Sequence, residues 1–151
     1  MSFTVTKVDI WSSKIEDKPG GLAKVLGTLG NAGANLDCVV ARRDPAKSGT
    51  GVVFLTPVKG SAVRKAAQSE VLTPAEKVAT LKVEGDDAAG LGGQIATAIA
   101  DAGINLRGVS AAVIGKKFVA YLGFDSAADA TKATRVLKTL ASPKKAGKAK
   151  R

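Results

Sequence analysis

Apolar side chains recur at Leu22, Val25, Leu26 and Leu29, the spacing of one helical face, and predict a helix over 21–31. A second stripe at Leu91, Ile95, Ala98, Ile99 and Ala102 predicts another over 91–101. Between and around these helices the period shortens to two. The alternation from Val5 to Trp11 predicts a first strand, with Val8 and Ile10 on one face. Further strands are predicted over 35–42 and over 51–56, where Pro57 ends the ladder. Others follow over 77–83, 105–114 and 118–124, the last two joined by a Gly115-Lys116 turn. Ser61 is the expected N-cap of a helix ending near Ser69, and Asp125 that of a last helix carrying Ala130, Ala133, Leu137 and Leu140.

The two strong helices belong to a repeat. Asp17, Gly20, Val25, Leu29, Ala32, Gly33, Asn35 and Leu36 correspond in fixed register to Asp87, Gly90, Ile95, Ile99, Ala102, Gly103, Asn105 and Leu106. Each copy reads strand, helix, strand, strand, helix. That order is expected to build an α+β fold of two ferredoxin-like βαββαβ units, each an antiparallel sheet with helices on one face. The expected boundaries are 3–73, 74–141 and a basic tail over 142–151. A fourth strand should close each sheet. Only Ser69-Glu70-Val71-Leu72 is available for the first, and none is visible for the second before Ser142-Pro143.

Composition narrows the function. The 151 residues include no histidine and one cysteine, Cys38. A Ser-His-Asp or Cys-His nucleophile is thereby excluded, and a zinc site has too few ligands. No carboxylate stands in a catalytic pattern, so neither enzyme activity nor a cofactor is expected. The lone cysteine, the lack of a long apolar run and the absence of a secretory pattern at Met1–Lys7 point to the cytoplasm. The net charge is +10, and five of the positive charges (Lys144, Lys145, Lys148, Lys150 and Arg151) crowd the tail. The tail has no large apolar side chain, so it is expected to be disordered.

The turn before the first helix collects unpaired backbone N–H groups at the positive end of the helix dipole, a setting suited to a carboxylate. Gly20 and Gly21 leave the approach open, and Asn35 offers both a donor and an acceptor. An α-amino acid needs donors for its carboxylate and an acceptor for its ammonium. The same residues equally serve as ordinary turn and helix-end formers.

Asp17-Lys18-Pro19-Gly20-Gly21-Leu22 followed by Gly33-Ala34-Asn35-Leu36 resembles the signature of the ACT domain, a regulatory small-molecule-binding module of ferredoxin-like fold. Ala89-Gly90-Leu91 through Gly103-Ile104-Asn105-Leu106 resembles it less completely, with Ala89 in place of the proline. The resemblance covers the chain except the tail and is nearest to stand-alone tandem ACT proteins. It implies amino-acid binding where the first loop of one unit meets the second strand of a neighbour, within a homodimer that regulates a partner. In this sequence it implies a site at Asp17, Pro19, Gly20, Gly21, Leu22, Asn35 and Leu36. A second site, with a less pre-organised loop, falls at Asp87, Gly90, Leu91 and Asn105.

Two other functions stay open. The basic tail, with the sheet face that carries Trp11 and Phe54 on neighbouring strands, could serve a nucleic acid or another polyanion, while Arg42, Arg43 and Lys47 read as a solvated basic loop. A structural adaptor with vestigial ligand sites is the third.

Overall fold

The computed structural model describes residues 2–142; beyond Ser142, the expected tail lies outside them. Twelve elements follow one another among the described residues. They are β1 (Phe3–Val8), β2 (Trp11–Glu16), α1 (Gly21–Asn31), β3 (Cys38–Arg43), β4 (Thr50–Thr56), α2 (Ser61–Ser69), β5 (Thr73–Pro74), β6 (Ala79–Asp86), α3 (Leu91–Asp101), β7 (Leu106–Ile114), β8 (Lys117–Phe124) and α4 (Ala127–Ala141). They build two four-stranded sheets in the orders β3-β4-β2-β5 and β1-β6-β8-β7. Both are ferredoxin-like α+β units, as the element order predicts.

The units do not divide the chain into halves. One runs from Val8 to Glu76; the other takes the N-terminal residues through Lys7 and resumes at Lys77. We call them the inserted and the split unit. The expected boundary near residue 73 therefore corresponds to the end of an insertion, and β1 belongs with the C-terminal part of the chain. The alternation read as one strand over 5–11 is two strands in two sheets. Phe3 and Val5 pack into the core of the split unit, while Trp11 and Ile15 pack into that of the inserted unit. The polar run Ser12-Ser13-Lys14 carries no apolar alternation and masks β2. Its middle residue, Ser13, sits opposite Val53, and its hydroxyl donates to the Glu70 carbonyl at 3.3 Å.

This arrangement also supplies the missing closing strands. In the inserted unit the fourth strand is Thr73–Pro74, pairing with Ser12 and Trp11, rather than 69–72. In the split unit the fourth position is taken by β1. The Asp86 N–H donates to the Ser2 carbonyl at 3.1 Å, and the Thr4 hydroxyl donates to the Glu84 carbonyl at 3.4 Å. Gly85 makes the approach possible, since a Cβ there would lie 2.2 Å from the Ser2 oxygen.

The repeat register holds at the level of hydrogen bonds. Asp17 N–H bonds to Gly49 O and Asp87 N–H to Lys116 O; Ala34 N–H reaches Leu29 O and Ile104 N–H reaches Ile99 O. The second pair closes α1 and α3 through a left-handed glycine, Gly33 or Gly103. Helix α2 ends in the same way, with Leu72 N–H on Ala67 O, but Val71 stands at the left-handed position with φ 59° and is exposed. Two expected caps move by one residue. Gly60 precedes α2, making Ser61 its first residue, and the Ser126 hydroxyl accepts from Asp129 N–H at the start of α4.

The cores follow the helical stripes. Val25 and Leu29 meet Val53, Leu55, Val63 and Leu72 in the inserted unit. Leu91, Ile95 and Ile99 meet Leu81, Val83, Leu122, Phe124 and Leu137 in the split unit. Phe3 stands edge-on to Phe118, with ring centroids 6.3 Å apart.

Two stability changes of opposite sign are expected. Phe3→Ala should destabilise the split unit by about 3–5 kcal/mol, the usual result of emptying a buried aromatic site. Val71→Gly should stabilise by about 1 kcal/mol, because a β-branched residue gives up a strained left-handed conformation. Denaturant titrations of both variants against the parent check the two signs.

Candidate functional site

Each unit places a loop at the end of its first core strand and at the start of its first helix. In the inserted unit Asp17, Lys18, Pro19 and Gly20 form it, all exposed. Gly20 has φ 87° and caps α1 in the left-handed conformation; Gly90 does the same for α3 with φ 80°. Gly21 is required for a different reason. A Cβ there would stand 2.3 Å from the Glu16 carbonyl oxygen, so the helix start packs directly on the end of β2. Leu22 and Leu36 are half-buried against the core of the inserted unit. Asn35 is exposed on the segment leading into β3, and Asn105 is exposed at the corresponding place.

Charge fills the mouth of the first loop. The Arg43 Nε donates to the Asp17 carboxylate at 2.9 Å, and Lys18 pairs with Glu16 at 2.5 Å. The Glu16–Lys18 hydrogen bond holds the Glu16 carboxyl below its usual range and raises the Lys18 ammonium. Both groups are fully exposed, so the pair adds little to stability.

The second loop opens on a cavity. About 380 Å³ of space lies between the start of α3 and the strands β7 and β8 of the split unit. Asp87, Gly90 and Leu91 line it, so three of the four residues expected at the second site come together there. Asn105 does not line it; its neighbour Leu106 does. The remaining wall is apolar; beside Ile95, Leu106 and Leu122 it includes Val109, Val113 and Phe118. Sequence reading passed over the last three and Gly92. The repeat register carried the signal, because Gly92-Gly93 stand where the first copy has Leu22-Ala23.

The two mouths differ in a consistent way. Val113 pairs with Phe118 across the β7–β8 ladder, and Arg43 pairs with Gly51 across β3–β4. Where the split unit presents two apolar side chains, the inserted unit presents a guanidinium and no side chain. Among the described residues Asp87 has no cationic partner, in contrast to Asp17. Lys117 is taken by the neighbouring Asp86.

Trp11 and Phe54 do not share a sheet face. Phe54 faces Ser12, whereas Trp11 pairs with Leu55, so the two aromatic rings project from opposite faces of the sheet. Trp11 also stands at the end of β2 away from Asp17, about 20 Å along the strand at its usual rise. Of the basic trio, Arg43 is engaged by Asp17. No group of three or more metal-ligating side chains occurs among the described residues. Cys38 is half-buried, and burial, reinforced by the Asp37 charge, pushes its thiol pKa up.

Two outcomes follow. Gly21→Ala should destabilise by about 1–3 kcal/mol through overpacking against Glu16, measured by denaturant unfolding. Cys38 should be alkylated more slowly at neutral pH in the native protein than in the unfolded chain, since a raised pKa leaves less thiolate; quenched labelling in each state tests this.

No protein-family model and no curated protein matches the chain. Solved structures do. Protein BT0572 from Bacteroides thetaiotaomicron superposes with a TM-score of 0.73 at 14% identity, over 90% of each chain. The ligand-free regulatory subunit of aspartate kinase from Thermus thermophilus gives 0.64 at 17% identity, over 92% of this chain and 96% of that one. The aspartokinase alpha and beta subunits give 0.59 at 20% identity, with the same coverage. No helix among the described residues is long and apolar enough to cross a membrane. The chain has the tandem ferredoxin-like fold that its ACT resemblance implies, the fold of aspartate kinase regulatory subunits.

Proposed function

We propose that the protein is a non-catalytic sensor of an amino acid or similar small carboxylate, regulating a partner protein. The observation that carries this reading is the cavity at the second loop. Its volume falls at the small end of the roughly 300–1,000 Å³ usual for small-molecule sites. Its mouth holds complementary groups for a zwitterion. The Gly92 and Gly93 N–H groups at the start of α3 have no backbone acceptor among the described residues and suit a carboxylate. Asp87 supplies an anion for the ammonium. The site sequence reading ranked first, at Asp17, Pro19, Gly20, Gly21, Leu22, Asn35 and Leu36, becomes the lesser of the two here.

The glycines support the same reading. Gly92 and Gly93 weaken the first turn of α3, and a Cβ at either would meet nothing within 4 Å. Packing within the chain therefore does not require them, whereas close approach of a ligand does. The rim favours a second copy of the chain as the cover. Strand β7 is a sheet edge, and Val109, Val113 and Ile114 on it are 56%, 54% and 78% exposed. An exposed apolar edge of that length is suited to pairing.

Thermal shift and calorimetry with the twenty amino acids test the proposal, since a ligand bound only by the native state raises its melting temperature. Gly92→Ala separates the two effects. It should stabilise the free protein by about 0.5–1 kcal/mol through helix propensity. The same change should weaken ligand binding at least tenfold by placing a methyl group in the cavity. A variant that binds as well as the parent would remove the cavity from the proposal.

A further inference from the structure

We infer that the split-unit cavity selects an amino acid with an apolar side chain, and that the inserted unit is built against one; this rests on the sensor reading above. The argument is the register between the units. At four corresponding positions around the two loops the side chains exchange size or charge. Gly21-Leu22 in the inserted unit becomes Leu91-Gly92 in the split unit. Arg43 across from Gly51 becomes Val113 across from Phe118.

The Leu22/Gly92 and Arg43/Val113 exchanges act in the same direction, and Leu91 and Phe118 add apolar wall where the inserted unit has glycines. Leu22 packs onto the core beside the first loop, whereas Gly92 leaves that volume to the cavity. Arg43 brings a charge, already neutralised by Asp17, to the place where Val113 offers an apolar wall. An apolar side chain entering the inserted unit would have to displace Leu22 or desolvate the Arg43–Asp17 pair. In the split unit the same side chain meets Leu106, Val109, Val113 and Phe118 and has to displace no side chain.

The polar end of the ligand is specified by what is left unpaired. Asp87 has no cationic partner among the described residues and is open to an ammonium group, and the Gly92 and Gly93 N–H groups are open to a carboxylate, Leu91 N–H being taken by the Ala88 carbonyl. A charged or hydroxylated side chain would find no buried hydrogen-bonding partner among Leu106, Val109, Val113 and Phe118, a cost that excludes it. The occupant is therefore a free amino acid with a branched aliphatic or aromatic body.

The test uses the full chain labelled with ¹⁵N-glycine and titrated with leucine, isoleucine, valine, phenylalanine, lysine, aspartate and threonine. Calorimetry under the same conditions gives the affinities. One of the four apolar amino acids should bind at least tenfold more tightly than the three polar ones. It should shift the Gly90, Gly92 and Gly93 amides and leave Gly20 and Gly21 unmoved. Val113→Arg, at an exposed position that tolerates the change, should lower that affinity at least tenfold. Val113→Thr should lower it by a smaller factor. Asp87→Asn should weaken leucine more than 4-methylpentanoate, which lacks the ammonium.

Preference for a polar amino acid, or shifts confined to Gly20 and Gly21, would overturn the inference while leaving the sensor reading in place. Binding unaffected by Val113→Arg would overturn it as well. Failure of all twenty amino acids to bind would overturn the sensor reading itself.

Discussion

The split unit depends on one close approach. Strand β1 lies against β6 only because Gly85 has no side chain; a Cβ there would overlap the Ser2 oxygen and come 2.7 Å from the Phe3 Cα. From that contact follow the position of Phe3, its edge-on stacking on Phe118 and the closure of the sheet. Phe118 is in turn a wall of the cavity. The candidate site is thus tied to the N-terminus of the chain through one glycine and two phenylalanines. The inserted unit solves the equivalent problem with the sizes reversed. There Ile15 is the large residue and Gly51 the small one, and a Cβ on Gly51 would come 3.2 Å from the Ile15 side chain.

The helices were legible because burial follows their periodicity. The stripes at Leu22 to Leu29 and Leu91 to Ala102 identify α1 and α3 to the residue, and left-handed glycines end both. Strand identity was less legible where apolar pattern and chain topology diverge. The alternation from Val5 to Trp11 is real, but its two ends serve different cores, and nothing local marks the break after Val8. Strand β2 was hidden because its core-facing centre is Ser13, whose polarity is satisfied by the Glu70 backbone. A strand that closes a sheet from the opposite end of the sequence is a long-range pairing, and no local pattern encodes it.

The same limit applied to the candidate site. Loop residues such as Asp87 and Gly90 carry a local signature, and the structure brings them together with Leu91 at the cavity. The facing wall comes from β7 and β8, whose apolar residues look like ordinary core positions in sequence. Only the ladder, pairing Val113 with Phe118, shows that they share a face with the loop. Proline drew attention to the first loop, yet proline fixes backbone geometry and says nothing about free volume. Volume is decided by Leu22 against Gly92 and by Arg43 against Val113.

Opening a cavity beside a helix start has a structural cost, and the split unit contains features that offset it. Gly92 and Gly93 each forfeit about 0.5–1 kcal/mol of helix stability relative to alanine. Against this, its strands β6, β7 and β8 span 8, 9 and 8 residues, where β2, β3 and β4 span 6, 6 and 7. The longer ladders add backbone pairing around the cavity, and the Lys132 ammonium on α4 caps the far end of α3 by donating to the Ala102 carbonyl at 2.6 Å. The helix is therefore anchored at its C-terminus and loosened at its N-terminus. Local opening should concentrate in the turn that faces the cavity, since two glycines weaken it and the Gly92 and Gly93 N–H groups have no backbone partner among the described residues. A ligand carboxylate bound there would supply what the turn lacks, so under the proposed reading binding and ordering of the helix start would be one event. In the inserted unit Leu22 and the Asp17–Arg43 pair already hold the corresponding turn, which leaves a ligand less to contribute.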